Sequence, residues 1–462
     1  MKDYLTPLLH LQRFFLPALV ALLLWAAWRT VVRRDLAVGL ALYIGLVIIV
    51  DGFLNTGIYI PGFEKGSIRY SEVCAGLLLL RRPAAAPHAG PYGTVKFFVG
   101  LYFVLLLVSA FRSDSVAAGI FEFRRLIVPQ VIAFLLTMRG LQSSDDFRRF
   151  FRCLTVLSLI VGVFVFWDLF FDTWLLHSDV LYTAIYYMNR NHNRFGSFFL
   201  NPNYLGAFVV LVFPAAFVFM LNEKTKRLKL AAVIGLLALV FSLVETQSRG
   251  PLLGFAIATC LLLLGPAGGM SRGRRLGVGF ALAGLLFLMM PGFYSHAIGR
   301  FDEIDEELTT EHARTRQTIW LYTQRVIADH PMLGIGFGEK QFISTMKDYG
   351  FEEDYGEQSL DNPHNSYLQM TVYAGIPALL CFVFANLVLL LRAARSVARG
   401  IDGGTTHIAF GLAIGIAGFL TVIYPDMHMF TQTVAPVFWV FFGLLLAVTT
   451  AAPRTQPVAP AL

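Results

Sequence analysis

Charge is scarce in this chain. Only 15% of its 462 residues are Asp, Glu, Lys or Arg, against about a quarter in soluble domains, while 56% are hydrophobic and the mean hydropathy is +0.63. Folded in water, such a chain would have too little polar surface to cover its apolar interior. A cytosolic or secreted globular enzyme is excluded, although the length alone would suit about three soluble domains. Acid is scarcer than base, 30 residues against 37, and the net charge is +7. The cations nevertheless sit in small clusters between apolar runs, where a bilayer explains them and nucleic acid does not. Cysteine is equally sparse: Cys74, Cys153, Cys260 and Cys381 each fall inside an apolar run without CxxC or histidine spacing. They read as small buried hydrophobes, giving neither a disulfide framework nor a metal site. An HExxH motif is also missing, so no catalytic metal and no cofactor is expected.

What the sequence has in abundance is apolar runs. A hydrocarbon core about 30 Å thick needs about 20 residues of helix, and thirteen runs meet or approach that length. They lie near 14–32, 35–54, 68–81, 94–111, 116–138, 152–171, 202–222, 229–246, 250–266, 275–292, 366–391, 406–424 and 430–449. The third is short, so the expectation is an all-α polytopic membrane protein of about 12–13 transmembrane helices. One set of connections holds twenty cations, including Arg29, Arg148, Arg152, Lys224, Lys226 and Arg395, whereas the opposite short connections hold only Lys65, Arg69, Arg112, Arg190, Arg194 and Arg249. Cytoplasmic connections retain Lys and Arg, which puts the first set inside. The first apolar run lacks a small-residue cleavage site and passes directly into cations, so no cleavable signal peptide is expected. The expected organisation is transmembrane helices 1–10 over 1–292, an outer loop domain over 293–365, further spans over 366–450 and a cytoplasmic tail over 451–462. Within the loop, His312–His330 reads as a helix stopped by Pro331, and Gly334, Gly336 and Gly338 as a flexible turn.

Several polar groups stand against this apolar background. Arg124 and Arg125 lie inside the fifth run, where an arginine costs about 2.5–3.5 kcal/mol at a helix centre and needs a partner. Glu122 is the only near carboxylate in the sequence, so they form either an internal Glu–Arg pair or an anion site awaiting its counter-charge. Arg249 lies in a tight outer turn, Glu245 to Pro251, where backbone N–H groups and a guanidinium suit a phosphate oxygen; a headgroup anchor is the alternative. Arg314 and Arg316 precede Trp320, and four-residue spacing puts Arg316 and Trp320 on one helix face. That suits a sugar phosphate, or simple packing of Trp320 on the membrane domain. His364 sits among polar residues at the mouth of a span, with Asp361 and Glu357 close enough in sequence to orient it. An imidazole is the side chain best able to take a hydroxyl proton near neutral pH, though a lone loop histidine is more often inert. His330 reads as a helix end, and Asp426 and His428, in the last outer turn, as residues that only line the interface.

Taken in order, Arg194-Phe195-Gly196, Phe199-Leu200-Asn201-Pro202-Asn203, Thr246-Gln247-Ser248-Arg249-Gly250, Arg316 with Trp320, His330-Pro331 with Gly334-Ile335-Gly336-Phe337-Gly338, and Pro363-His364-Asn365-Ser366-Tyr367-Leu368 resemble the bacterial O-antigen ligase/polymerase superfamily. The likeness runs from about Arg194 to Ile376. It implies a GT-C-like membrane fold with one large periplasmic helical loop, in the bacterial inner membrane, with the active site facing the periplasm. It also implies a metal-independent, inverting glycosyltransferase. The donor would be a glycan on undecaprenyl diphosphate, and the acceptor a sugar hydroxyl of lipid A-core or another glycan. By resemblance the essential histidine falls on His364 and the diphosphate-binding arginines on Arg249 and Arg316, with Arg194 at a further matching position. Arg314, Arg124 and Arg125 are additional candidates for the diphosphate, and Trp320, Asn365 and Asp361 for the acceptor or sugar. Asn201 and Asn203 look like helix-start and lining residues.

Other readings compete. A flippase or transporter would show paired broken helices and an internal duplication around midplane polar groups, whereas the polar residues here gather toward the outer face. A non-catalytic scaffold would tolerate loss of His364. Within the superfamily, an O-antigen or exopolysaccharide polymerase is the alternative to a ligase, and thirteen apparent spans rather than twelve weigh toward it.

Overall fold

The computed structural model describes residues 35–53, 57–59, 67–80, 93–141, 143–170, 194–265, 273, 277, 311–351, 362–399 and 406–449. Among the described residues the architecture is all-α apart from one small antiparallel hairpin, β1 (Gly57–Tyr59) with β2 (Ser67–Arg69), in register Ile58 to Ile68. The helices are α1 (Leu36–Gly45), which passes into a π-helical turn (Leu46–Phe53), α2 (Tyr70–Leu79), α3 (Gly93–Phe111), α4 (Val116–Leu126), α5 (Val128–Gly140) and α6 (Ser144–Phe170). Then come α7 (Pro202–Asn222), α8 (Lys226–Glu245), α9 (Arg249–Leu264), α10 (Glu311–Asp329), α11 (Glu339–Asp348), α12 (Ser366–Arg399), α13 (Thr406–Val422) and α14 (Val434–Val448). Five of the described helices are long and apolar enough to cross a membrane: α3, α7, α8, α12 and most of α6. The runs expected near 14–32 and 275–292 lie outside the described residues.

The centre of the bundle is α7, 89% of whose apolar window is buried. It starts cleanly because Asn201 Oδ1 accepts from the Asn203 N–H and Pro202 takes the first helical position, where no N–H is needed. Antiparallel to it runs α13, whose Gly411 and Gly415 face the α7 backbone around Ala215 and Leu211. Small residues one turn apart allow two helices in a membrane to approach closely. This pairing sets the start of α7 beside the connection that follows α13.

Two of the expected spans are broken. The run 116–138 is not one helix but two, α4 and α5, separated at Ile127, because Pro129 has no N–H and its ring obstructs the preceding turn. Interior polar backbone cannot be left open in an apolar medium. Gln130 supplies the remedy: its Nε2 donates to the carbonyls of Leu126 and Met429 at 2.7 and 2.9 Å, and its Oε1 accepts from Trp439 Nε1 at 2.8 Å. The second break is in α12, where Gly375 has φ +83° and ψ 170° just before Pro377.

That second break explains the glycine loop, which is close-packed rather than the flexible turn expected. The carbonyls released in α12 accept from it: Ile335 N–H donates to Val372 O at 2.9 Å and Gly336 N–H to Tyr373 O at 3.3 Å. In return Ile376 N–H donates to Pro331 O at 2.7 Å. Gly336, at φ +111°, lies against Ser113, whose Cα would be 2.9 Å from a Cβ placed there. The loop is thereby fastened to both α12 and the α3–α4 connection.

Candidate functional site

Three connections and one helix converge at the end of the bundle where α7 begins. The first connection leads into α7 (Arg194–Asn201), the second joins α8 to α9 (Thr246–Ser248), and the third follows α13 (Ile423–Thr433). The segment before α12 (Asn362–Asn365) enters among them, and α10 covers it. Among the described residues four non-glycine positions have positive φ: Ser197, Leu200, Gln247 and His364. All four lie in these segments. Left-handed backbone at ordinary residues costs about 1–3 kcal/mol each and gathers where geometry is dictated by function.

Arg194 ties two of the connections together. Its Nη2 donates to Asn203 Oδ1 at 2.8 Å and to Ser248 Oγ at 2.9 Å, and its Nε donates to Thr246 O at 3.2 Å. Ser248 Oγ in turn donates to Asn203 Oδ1 at 2.7 Å. Ser248 thus precedes α9 without capping it through its side chain, and the first helical residue is the exposed Arg249. A cation at a helix N-terminus opposes the helix dipole by about 0.3–1 kcal/mol. Both choices are locally unfavourable, and both suit an approaching anion. The backbone at Gly250 lies against Pro425, 3.0 Å from a Cβ placed there, so the Arg249 turn abuts the connection bearing Asp426.

Asp426 links the network to His364. Its Oδ2 accepts from Asn203 Nδ2 at 2.7 Å and its Oδ1 from the Met427 N–H at 2.7 Å. Burial alone would raise the carboxyl's pKa, but the His428 and His364 imidazoles, the Met427 N–H and the Asn203 amide together hold it below its ordinary value. Its backbone carbonyl accepts from Ser366 N–H at 3.0 Å and Ser366 Oγ at 2.8 Å, which anchors the start of α12. His428 Nε2 is 3.9 Å from Asp426 Oδ2. Burial lowers the pKa of this imidazole more than Asp426 raises it.

His364 is half-buried and left-handed, with φ +47°. Three neighbours hold it there. Asn362 Oδ1 accepts from the His364 N–H at 2.8 Å, an Asx turn that stabilises the unusual φ. Asn365 Oδ1 accepts from the N–H groups of Tyr367 and Leu368 at 3.0 and 3.1 Å and so caps α12. Trp320 Nε1 donates to Pro363 O at 2.7 Å, with its ring edge-on to Tyr424 at 5.5 Å.

The expected residues divide accordingly. His364, Arg194 and the Arg249 turn share one connected end of the bundle, and Trp320 packs on it. Arg316 is exposed one helical turn before Trp320 on the same face of α10. Arg314 lies in the same helix, but its side chain is outside the described residues, as is Asp361. Asn365 is buried in its cap. Arg124 and Arg125 each have a carboxylate: Arg124 Nη2 lies 2.9 Å from Glu72, and Arg125 Nη2 lies 3.1 Å from Glu122. Glu122 is therefore not the only nearby acid, because the fold brings α2 against the α4–α5 break. The linking role of Asp426 and the bridging roles of Asn203 and Ser248 are additions from the structure. An Asp-Met-His sequence in a short connection between apolar runs was the available signal for the first of these. Among the described residues no three His, Cys, Asp or Glu side chains gather into a metal-binding set.

This is a multi-pass, all-α membrane protein with a built polar network at one end of its helices. Residues 234–383 match the family model described as O-antigen ligase, which supports the resemblance to the O-antigen ligase/polymerase superfamily of glycosyltransferases. The matched segment runs from α8 into α12 and includes Arg249, Arg316, Trp320 and His364; Arg194, Asn203 and Asp426 lie beyond it. No curated protein matches the chain.

Proposed function

We propose that this protein transfers a glycan from undecaprenyl diphosphate to a sugar hydroxyl on the periplasmic face of the inner membrane, as an O-antigen ligase that modifies lipid A-core. The observation carrying this reading is the placement of His364. It is held in a left-handed turn beside a buried, ionised Asp426, at the bundle end that also carries Arg249 and Arg194. In the reaction His364 removes the acceptor hydroxyl proton, and Asp426 stabilises the imidazolium that results. The hydroxyl oxygen attacks the anomeric carbon, and the bond to the diphosphate breaks with inversion. The leaving group is already activated, so the protein's task is to hold its negative charge. Arg249, on the uncapped first turn of α9, and Arg316 on α10 are assigned to that task. Arg194 positions the α9 turn through Ser248 and Asn203. Arg124 and Arg125 are ion-paired in the structure and are not assigned to it. The segment 293–365 forms the outer cap in this reading.

The test is genetic replacement in the source bacterium with His364→Ala, followed by gel analysis of glycolipids and a membrane-level check of protein amount. A ligase leaves core without O-antigen while long lipid-linked polymer accumulates. Core carrying a single repeat identifies a polymerase instead, and a wild-type glycolipid pattern removes His364 from the chemistry.

A further inference from the structure

A cavity with several charged side chains in its lining lies at the opposite end of the helices from His364. α7 runs 21 residues from Pro202 at the candidate site to Asn222 at this cavity, about 30 Å at 1.5 Å per residue, so the two places are a bilayer's thickness apart. The cavity is 120 Å³ and is lined by Arg148, Arg152, Phe219, Glu223, Lys224 and His407 among others. A water requires only about 10–15 Å³ on the same measure; the space accommodates a phosphate-sized group.

The charge of the lining is unbalanced. Glu223 is the one carboxylate in it, and that carboxylate is already engaged. Its oxygens accept from Arg152 Nε at 3.1 Å, Arg152 Nη2 at 3.4 Å and the Thr225 N–H at 2.9 Å. Arg148 and Lys224 are exposed and have no carboxylate partner among the described residues. An anion is therefore the complementary ligand, and the surroundings indicate what carries it. From Arg152, exposed side chains continue along α6 at Val156, Ile160, Val163 and Trp167, the i, i+4, i+7 spacing of one helix face. On a membrane-crossing helix this is a lipid-facing stripe that begins at the cavity.

We propose that this cavity binds the phosphate of an anionic phospholipid whose acyl chains lie along Val156, Ile160 and Val163. A zwitterionic headgroup brings its own cation toward Arg148 and Lys224 and is disfavoured. Basic pockets between spans are suited to anionic headgroups in this way. A free phosphate shares the headgroup's charge but gains nothing from the apolar stripe.

Native mass spectrometry of the full-length protein in detergent, with phosphatidylglycerol and phosphatidylcholine in competition, tests the assignment. The wild type is expected to retain phosphatidylglycerol preferentially. Arg148→Gln with Lys224→Gln should reduce that preference about five-fold for each cation removed, the equivalent of about 1 kcal/mol per basic residue near an anionic surface. Arg395→Gln with Arg399→Gln, which removes the same charge from the far end of α12, should leave the preference intact. Equal retention of the two lipids by the wild type overturns the proposal, as does equal loss in both double variants. Displacement of phosphatidylglycerol by inorganic phosphate at matched concentration overturns the lipid assignment in favour of a free-anion site. Should the first double variant fail to fold, Lys224→Gln alone carries the same comparison.

Discussion

His364, Asp426 and His428 make separable predictions because each does something different in one network. His364 contributes its backbone N–H to Asn362 and its side chain to the space beside Asp426. Replacement by Ala should therefore abolish glycan transfer while leaving the melting temperature in detergent nearly unchanged; a variant with normal turnover contradicts its assignment as base. Asp426→Asn affects both properties. The amide keeps the shape but loses the charge that His364 and His428 face, and it sets a donor where the Asn203 amide already donates. A buried polar group left unsatisfied costs about 1–3 kcal/mol, so this variant should melt lower as well as turn over more slowly. Acid should weaken the fold in two stages. The folded protein keeps His428 neutral, so the unfolded chain takes up that proton first as pH falls below the ordinary histidine value of about 6.5. Asp426 stays ionised below its ordinary range, and its contribution is lost only as pH falls through that depressed value. Thermal melts across pH should thus be flat above neutrality and decline below it. His428→Phe, packed against Tyr204 and Phe419, should delay the decline to the carboxylate range, and an unaltered profile would disprove the assignment.

At the scale of elements, the broken helices organise the end of the bundle that carries His364. Gly375 interrupts α12 so that Val372 and Tyr373 can accept from the glycine loop, and the same loop meets Ser113 after α3. Gly336→Ala asks a residue with a Cβ to adopt φ +111° against the Ser113 backbone. A loss of about 1–3 kcal/mol is expected, read as a lower melting temperature; an undisturbed melt would show that the loop yields. Trp320→Phe keeps the ring but removes the hydrogen bond to Pro363 O. It should slow transfer with little change in melting temperature, because the bond holds the residue preceding His364 rather than the bundle core.

Over the whole molecule, the direction of the helices makes a sidedness prediction. α7, α8 and α13 each join the His364 end to the end bearing Asn222, Lys226 and Thr406, and the cation-rich connections are at the latter. With the native cysteines replaced, a cysteine at Asp348 should react with a membrane-impermeant maleimide in cells whose outer membrane is permeabilised. One at Arg227 should react only after lysis. The reverse pattern would place His364 in the cytoplasm and remove access to a periplasmic donor.

Composition and the length of apolar runs were sufficient to establish a helical membrane protein, because burial in hydrocarbon is a property of each segment by itself. Helix α10 and the start of α7 were legible for the same reason, since caps and prolines act on their immediate neighbours. Arg249, Arg316, Trp320 and His364 stood out as polar residues in an apolar chain. Their partners did not. Asp426 is 62 residues beyond His364, and Glu72 is 52 residues before Arg124. The packing of α7 on α13, and of α2 on the α4–α5 break, decided which charges meet. Local pattern carries no information about pairings over such separations, because they depend on how whole helices approach one another.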